Sequence, residues 1–167
     1  MICQRLSRPS LIQSQRLFLY QNYGASKSFS NTVEERKQEN LVTVYYDGKC
    51  GLCSREINHY KKIAPNGIFD WQDVTEVSPK RLKSEGLTLS EGLRLLHAKD
   101  KNGEVRIGVD AFILIWSQLN RWRFLAKIVS LPGIHHIAGA SYNFFANWRF
   151  NKLEHCQLAA KEDNKKT

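Results

Sequence analysis

Two cysteines three residues apart are the side chains of this sequence best suited to chemistry. Cys50 and Cys53 lie in the segment 47–53, DGKCGLC, which directly follows a run rich in β-branched and aromatic residues. Two thiols at this spacing can form and break a disulfide, particularly where a strand passes into a helix. We therefore expect dithiol–disulfide exchange at this pair.

Cys50 is the expected nucleophile because it stands where a strand ends and a helix begins. Free N–H groups and the helix dipole stabilise a thiolate at the first turn, and the thiolate is the attacking form. Lys49 adds a positive charge, and Gly51 gives the turn conformational freedom. Cys53, expected to be the more enclosed thiol, would attack the mixed disulfide on Cys50 and release the reduced substrate.

Asp47 has two candidate roles. A carboxylate three residues before Cys50 raises the pKa of that thiol, which opposes the effect of Lys49. It could instead accept the proton of Cys53 as a general base, or cap the turn that begins at Gly48. The sequence leaves the base and the cap equally open.

A CxxC pair can also be half of a zinc site or two inert thiols. A structural zinc site needs a second pair of ligands. The adjacent residues His155 and Cys156 could supply one, but at an unusual spacing. The position between strand and helix favours redox chemistry, and no metal or cofactor is expected. Cys156 could be a third redox thiol, but an exposed free cysteine is the favoured prediction, since it has no cysteine partner at short spacing.

The elements that position the cysteines follow from hydrophobic period and turn residues. Leu41–Tyr46 predicts a strand, and apolar side chains at helical spacing after Cys50 predict a helix that ends at Pro65. Asn102-Gly103 predicts a β-hairpin. The remaining predictions are strands over 68–71, 93–98 and 104–107 and helices over 79–85, 108–119, 121–131 and 134–153.

This order predicts an α/β fold: a mixed four-stranded sheet flanked by helices, with extra C-terminal helices. The uncharged stretch 128–148 is poor material for a membrane span because it contains Pro132, Gly133 and several polar side chains. Buried C-terminal helices are the preferred interpretation. In these helices we expect the tryptophans to lie in the core or at helix contacts, namely Trp116, Trp122 and Trp148. The basic residues are expected on solvated helix faces, namely Arg121, Arg123, Lys127, Arg149 and Lys152.

The first 32 residues have the composition of an organellar presequence. They contain Arg5, Arg8, Arg16 and Lys27, are rich in serine and carry no acidic residue. A disordered basic tail is the alternative. We predict import into mitochondria, with the matrix first and a plastid as the alternative, and a linker over 33–40, a domain over 41–158 and a polar tail over 159–167.

Composition excludes few function classes. A formal net charge of +9 suits an anionic membrane surface, nucleic acid or an acidic partner without selecting one, and no nucleic-acid partner is expected. Four cysteines are too few for a disulfide-stapled secreted scaffold of 167 residues. A reducing compartment with one working pair fits this usage better.

Three segments carry a resemblance to a known family. The segment 46–53 resembles the D-G-x-C-x-x-C signature of the DCC family of thiol–disulfide oxidoreductases. The segment 103–112, which contains Gly108-Val109-Asp110, resembles the family's G-x-V…G-x-D-A segment, and 142–150 resembles its ending. The likeness covers about Val42 to Cys156.

The resemblance implies a thioredoxin-like fold and exchange with a disulfide-containing protein or a small thiol, with Gly108 and Asp110 as supporting positions. General thioredoxins place a cis-proline opposite the cysteine pair, whereas the segment 87–92, LTLSEG, contains no proline. This departure keeps two alternatives open beside the enzyme: a binding or assembly protein whose cysteines do not react, and a protein that binds metal through Cys50 and Cys53.

Overall fold

The computed structural model describes residues 41–165, which form a four-stranded sheet with helices on both faces. The strands are β1 Val42–Tyr46, β2 Phe69–Asp73, β3 His97–Lys99 and β4 Val105–Ile107. The helices are α1 Gly51–Ile63, α2 Pro79–Ser84, α3 Leu89–Arg94, α4 Val109–Gln118, α5 Arg123–Val129, α6 Pro132–Lys152 and α7 Glu154–Asn164.

The sheet has the strand order β2-β1-β3-β4. β1 pairs in parallel with β2, with Val44 opposite Trp71, and antiparallel with β3, with Val44 opposite Ala98. β4 returns beside β3 as a hairpin. The predicted mixed four-stranded sheet and the extra C-terminal helices are thereby confirmed, and α1 is the crossover helix that a parallel pair requires.

The side chains of β1 alternate between two hydrophobic clusters. Val42 and Val44 belong to a cluster with residues of α1 and α4, whereas Tyr45 belongs to a cluster with residues of α2, α3 and α7. Alternation of this kind follows from the two-residue period of a strand. The first strand therefore connects both layers of helices, and the cysteine segment leaves from its end.

Gly108 and Tyr142 join α4 and α6 to the sheet. Gly108, directly before α4, has φ +62° and ψ −124°, and a Cβ there would lie 3.3 Å from the Tyr142 ring. The backbone N–H of Leu96 donates to the Tyr142 hydroxyl at 3.0 Å. The glycine is required both by its backbone conformation and by the close approach of the ring.

The predicted strand over 93–98 is wrong in its first half. Leu93 belongs to α3, and β3 begins only at His97. α3 begins with a capping box in which the hydroxyl of Thr88 accepts from the N–H of Glu91 and the Glu91 carboxylate accepts from the N–H of Thr88. This signal is present in the sequence, and it marks the apolar residues that follow as the start of a helix and not of a strand.

The C-terminal region also differs from expectation. The expected polar tail over 159–167 is helical as far as Asn164, and Ala159 is buried. Trp116 and Trp122 stack with ring centroids 5.9 Å apart, as core packing predicts, but Trp148 is 53 % exposed. α6 therefore buries only one side, and the expectation of buried C-terminal helices is wrong for this helix. The expected presequence and linker lie outside the described residues.

Among the described helices, none combines the length and the apolar character needed to cross a membrane.

Exchanging two glycines for alanine tests the role of Gly108. Gly108→Ala is expected to lower the free energy of unfolding by about 1–3 kcal/mol, because alanine rarely adopts this backbone conformation. Gly139→Ala, inside α6 where nothing lies within 4 Å of an added Cβ, should raise it by roughly 0.5–1 kcal/mol. Urea denaturation of both variants measures this, and equal effects would contradict the assignment.

Candidate active site

The turn between β1 and α1 is held by the carboxylate of Asp47. Its Oδ1 accepts hydrogen bonds from the backbone N–H groups of Lys49 and Cys50, both at 3.1 Å. Ser54 closes the turn from the other side, because its hydroxyl donates to the carbonyl of Gly48 at 2.5 Å. The structure thus places Asp47 in the capping geometry that was one of its two candidate roles.

Gly48 lies against the end of β2. Its N–H donates to Asp73 Oδ1 at 3.1 Å, and a Cβ on Gly48 would lie 1.6 Å from Asp73 Oδ2. The Asp73 carboxylate cannot yield easily, because the N–H and the hydroxyl of Thr75 also donate to it, each at 2.9 Å. Glycine is needed here for space, and the cysteine turn is fixed to both parallel strands.

Arg149 is the residue of the site that the sequence analysis missed. It was expected on a solvated helix face, yet it is 7 % exposed and points from α6 to Asp47, where Nη1 donates to Oδ2 at 3.1 Å. Nη2 donates to the carbonyls of Leu93 and Arg94 at 2.5 and 3.0 Å. These carbonyls end α3, where the helix offers no partner of its own.

The two thiols have pKa values shifted in opposite directions. Burial alone would raise the pKa of Cys50, but hydrogen bonds from the Cys53 backbone and from the Arg149 guanidinium outweigh it, and the pKa is lowered. Burial dominates at Cys53 and raises its pKa despite the positive charge of Arg149, and the thiol of Cys50 and the charge of Asp47 raise it further. Cys50 is therefore the thiol that ionises first.

The exposure of the two cysteines differs between the whole residue and the thiol group. Cys50 as a whole residue is 3 % exposed, whereas Cys53 retains partial exposure. As a whole residue Cys53 is therefore the less buried of the two, but its thiol group is the more enclosed one, as predicted, which is why burial dominates its pKa. Leu52, between them, is the exposed apolar residue of this turn.

His155 and Cys156 complete the surroundings of Asp47. His155 Nε2 lies 3.1 Å from both carboxylate oxygens, and its side chain is partly exposed. The Cys156 thiol donates to Asp47 Oδ2 at 3.8 Å. Cys156 is fully buried, so its expected exposure is wrong. Burial and the charge of Asp47 raise its pKa to about 12, which keeps this thiol protonated.

Three of these groups could together hold a metal ion. One donor atom each of Asp47, His155 and Cys156 lies within 4.8 Å of the others. This set differs from the CxxC half-site considered above, because it uses neither Cys50 nor Cys53. The guanidinium of Arg149 on the same carboxylate places a positive charge beside any bound cation, which opposes metal binding.

The other predicted site residues lie less close to the chemistry. The side chain of Lys49 is exposed, and only its backbone N–H contributes a described hydrogen bond at the site. Gly51 opens α1 with nothing within 4 Å of an added Cβ. Asp110 pairs with His135 of α6, 2.9 Å away, and is more than half exposed. A largely apolar groove lies beside Cys53, lined by Leu52, Leu95, Phe112, Tyr142, Phe145 and Arg149.

Comparison with known proteins identifies the family. The family model described as DCC1-like thiol-disulfide oxidoreductase matches residues 44–154. The chain belongs to the DCC1-like family. The resemblance carried by the cysteine segment is therefore confirmed, and the matched region contains Asp47, both cysteines and Arg149.

One relative of this DCC1-like chain is a protein of Arabidopsis thaliana with the name Uncharacterized protein At5g50100, chloroplastic. The two are 26 % identical over 121 residues, which cover 71 % of this chain and 56 % of the relative. The chain thus spans little more than half the length of that protein. No solved structure matches this chain.

Removing the guanidinium tests the cause of the Cys50 pKa. In Arg149→Met the pKa of Cys50 should rise, since a hydrogen bond to the thiolate is lost. The uncompensated charge of Asp47 should lower the free energy of unfolding by about 3–5 kcal/mol. Arg149→Lys keeps the charge without the planar fork and should give an intermediate pKa. The pH dependence of Cys50 alkylation, read by mass spectrometry, measures it.

Arg121→Met removes an exposed arginine and serves as the matched control for Arg149→Met.

The pH dependence of the folding stability follows from the lowered pKa of Cys50. The Cys50 thiolate stabilises the folded state above the ordinary thiol pKa, and this contribution is lost as the pH falls through the lowered value. An alkylation profile identical in Arg149→Met and wild type would rule out the guanidinium as the cause.

Proposed function

We propose that this protein is a thiol–disulfide oxidoreductase in which Cys50 is the nucleophile and Cys53 the resolving thiol. The opposite pKa shifts of the two thiols beside Arg149 are the observation that carries the proposal. A nucleophile must be ionised before it attacks, whereas a resolving thiol must stay protonated until the mixed disulfide has formed. Membership of the DCC1-like family supports the same assignment.

The proposed cycle has two exchanges. The Cys50 thiolate attacks a substrate disulfide, which forms a mixed disulfide and releases one substrate sulfur as a thiolate. Cys53 then loses its proton and attacks the Cys50 sulfur, so that the second substrate sulfur leaves and the protein carries the Cys50–Cys53 disulfide. A dithiol or small-thiol reductant returns the pair to its reduced form.

Asp47 is the proposed acceptor of the Cys53 proton. Its negative charge contributes to the raised pKa of Cys53, and its oxygens already bind both the turn and Arg149. His155 contacts the same carboxylate and is partly exposed. The Asp47 carboxylate can therefore both cap the turn and accept the proton of Cys53. The proton then reaches water through His155.

The mode of substrate binding is proposed to differ from that of general thioredoxins. The segment that contains no proline ends in α3, and the carbonyls of Leu93 and Arg94 are occupied by Arg149. These acceptors are therefore engaged before any substrate backbone arrives. We expect the substrate to contact exposed Leu52 and the apolar groove beside Cys53 instead.

Replacement of the resolving thiol tests the roles of the two cysteines. With dithiobis(nitrobenzoate) as probe and Cys3→Ser as background, the intact pair should release both thionitrobenzoate groups and keep no adduct. Cys53→Ser should release one group and retain the other on Cys50, because no thiol resolves the adduct. Release is measured by absorbance and the adduct by the mass of the protein.

Cys50→Ser is the matched control, and it should react slowly because the remaining thiols are kept protonated. Resolution of the Cys53→Ser adduct by Cys156 would contradict the proposed role of Cys53. Full cellular function of Cys50→Ser/Cys53→Ser would instead favour the binding or assembly alternative.

The compartment is a separate proposal, and we propose import into an organelle. The basic composition of residues 1–32 supports it, and the sequence alone favoured mitochondria. The chloroplastic relative supports the plastid alternative. Residues 1–32 fused to a fluorescent reporter should direct it into an organelle, and microscopy with mitochondrial and plastid markers decides which. A cytosolic reporter would contradict import.

A further inference from the structure

The outer side of α6 carries a row of exposed apolar side chains. Ile137, Phe144 and Trp148 are 70, 77 and 53 % exposed. Intervals of seven and four residues place them on one face of the helix. The opposite side is the packed one, since Ala146 and Arg149 are buried there. Ile134 lies on the outer face as well and is also exposed. We call these four outer residues the α6 stripe.

Two further exposed apolar side chains precede the α6 stripe in the sequence. Leu131, directly before α6, and Phe124, in the neighbouring helix α5, are both exposed. Single apolar residues are common on protein surfaces, but an aligned row of large ones marks a surface that binds something. A helix that is apolar on both sides requires a second apolar environment beside its own core.

The stretch of sequence that carries the α6 stripe has only positive charges. Between Asp110 and Glu154 the sequence contains no aspartate or glutamate. Arg121, Arg123 and Lys127 of this region are exposed. Lys152 is exposed as well, and its Nζ lies over the ring of Trp148, 5.6 Å from the centroid. Within residues 111–153 the aromatic and aliphatic residues thus occur with basic residues and without an acidic one, while Asp110, just before this stretch, pairs with His135 of α6.

We propose that the α6 stripe and its flanking bases bind the surface of an anionic lipid bilayer. Side chains such as Phe144 and Trp148 enter the boundary between headgroups and acyl chains, while basic side chains such as Lys152 reach the anionic headgroups. The helix lies along the surface, in agreement with the absence of a spanning helix among residues 41–165.

Charge argues against two other occupants of this face. A second copy would bring the same basic residues against themselves, because a twofold interface pairs identical patches. Residues 1–32 of this chain contain no acidic residue and would also repel it. An anionic bilayer complements both the charge and the apolar row.

Binding here leaves the thiol chemistry undisturbed. Arg149 extends from the buried side of α6 toward Asp47, whereas the α6 stripe lies on the outer side. The proposal therefore does not depend on the proposed function, and substitutions in the stripe should leave alkylation of Cys50 unchanged.

Vesicle binding of the full chain tests the proposal. Phosphatidylcholine vesicles containing phosphatidylglycerol should bind the protein, vesicles of phosphatidylcholine alone should not, and added salt should weaken binding. Ile137→Ser/Phe144→Ser should lower the partition coefficient roughly tenfold or more, and Lys152→Ala about fivefold. Leu158→Ser removes an exposed leucine of α7, outside the α6 stripe, and should have no effect. Circular dichroism checks the fold.

Tryptophan quenching identifies the inserted surface directly. Vesicles with brominated acyl chains should quench the fluorescence of Trp148, and Trp148→Phe should abolish most of that quenching. Absence of binding overturns the proposal. Equal binding by Ile137→Ser/Phe144→Ser, or quenching that survives Trp148→Phe, also overturns it, since another segment then makes the contact. A dimer in solution that Phe144→Ser dissociates would overturn it in favour of a second copy.

Discussion

The buried ion pair between Asp47 and Arg149 is the interaction on which the cysteine site depends. Its two members are 102 residues apart in sequence and almost fully removed from water. Removing one partner of such a pair leaves a buried charge and costs about 3–5 kcal/mol. The pair joins the end of β1, the end of α3 and the last turn of α6, so one contact sets the positions of three elements around the thiols.

The same pair gives the two cysteines different environments. Arg149 supplies a hydrogen bond that stabilises the ionised form of Cys50, while Asp47 adds to the burial that keeps Cys53 protonated. Asp47 is surrounded by donors from the turn, Arg149, His155 and Cys156. Its charge is well satisfied although it is buried, as a buried carboxylate requires.

Local patterns made the core of the fold predictable. The strand before Cys50, the helix after it and the hairpin at Asn102-Gly103 each depend on neighbours in sequence, and all three are present. The burial of Arg149 could not be predicted in this way, because it depends on a carboxylate and carbonyls that only the tertiary fold brings near. Cys156 was misplaced for the same reason. α3 could have been predicted from the sequence, since the capping box at Thr88 that begins this helix is a local pattern.

The last helix has a consequence for where this domain can be cut. Asp163, near the end of α7, accepts a hydrogen bond from the backbone N–H of Ser90 at 3.0 Å, in the first turn of α3. Cys156 and Ala159 of α7 are buried in the cluster that contains Leu93. A shortened chain ending at 154, the limit of the family match, would lack α7 and with it the support that α7 gives to α3. The last carbonyls of α3 are the ones that Arg149 binds. We therefore expect the smallest autonomously folding unit to extend through α7, beyond residue 154, where the family match ends.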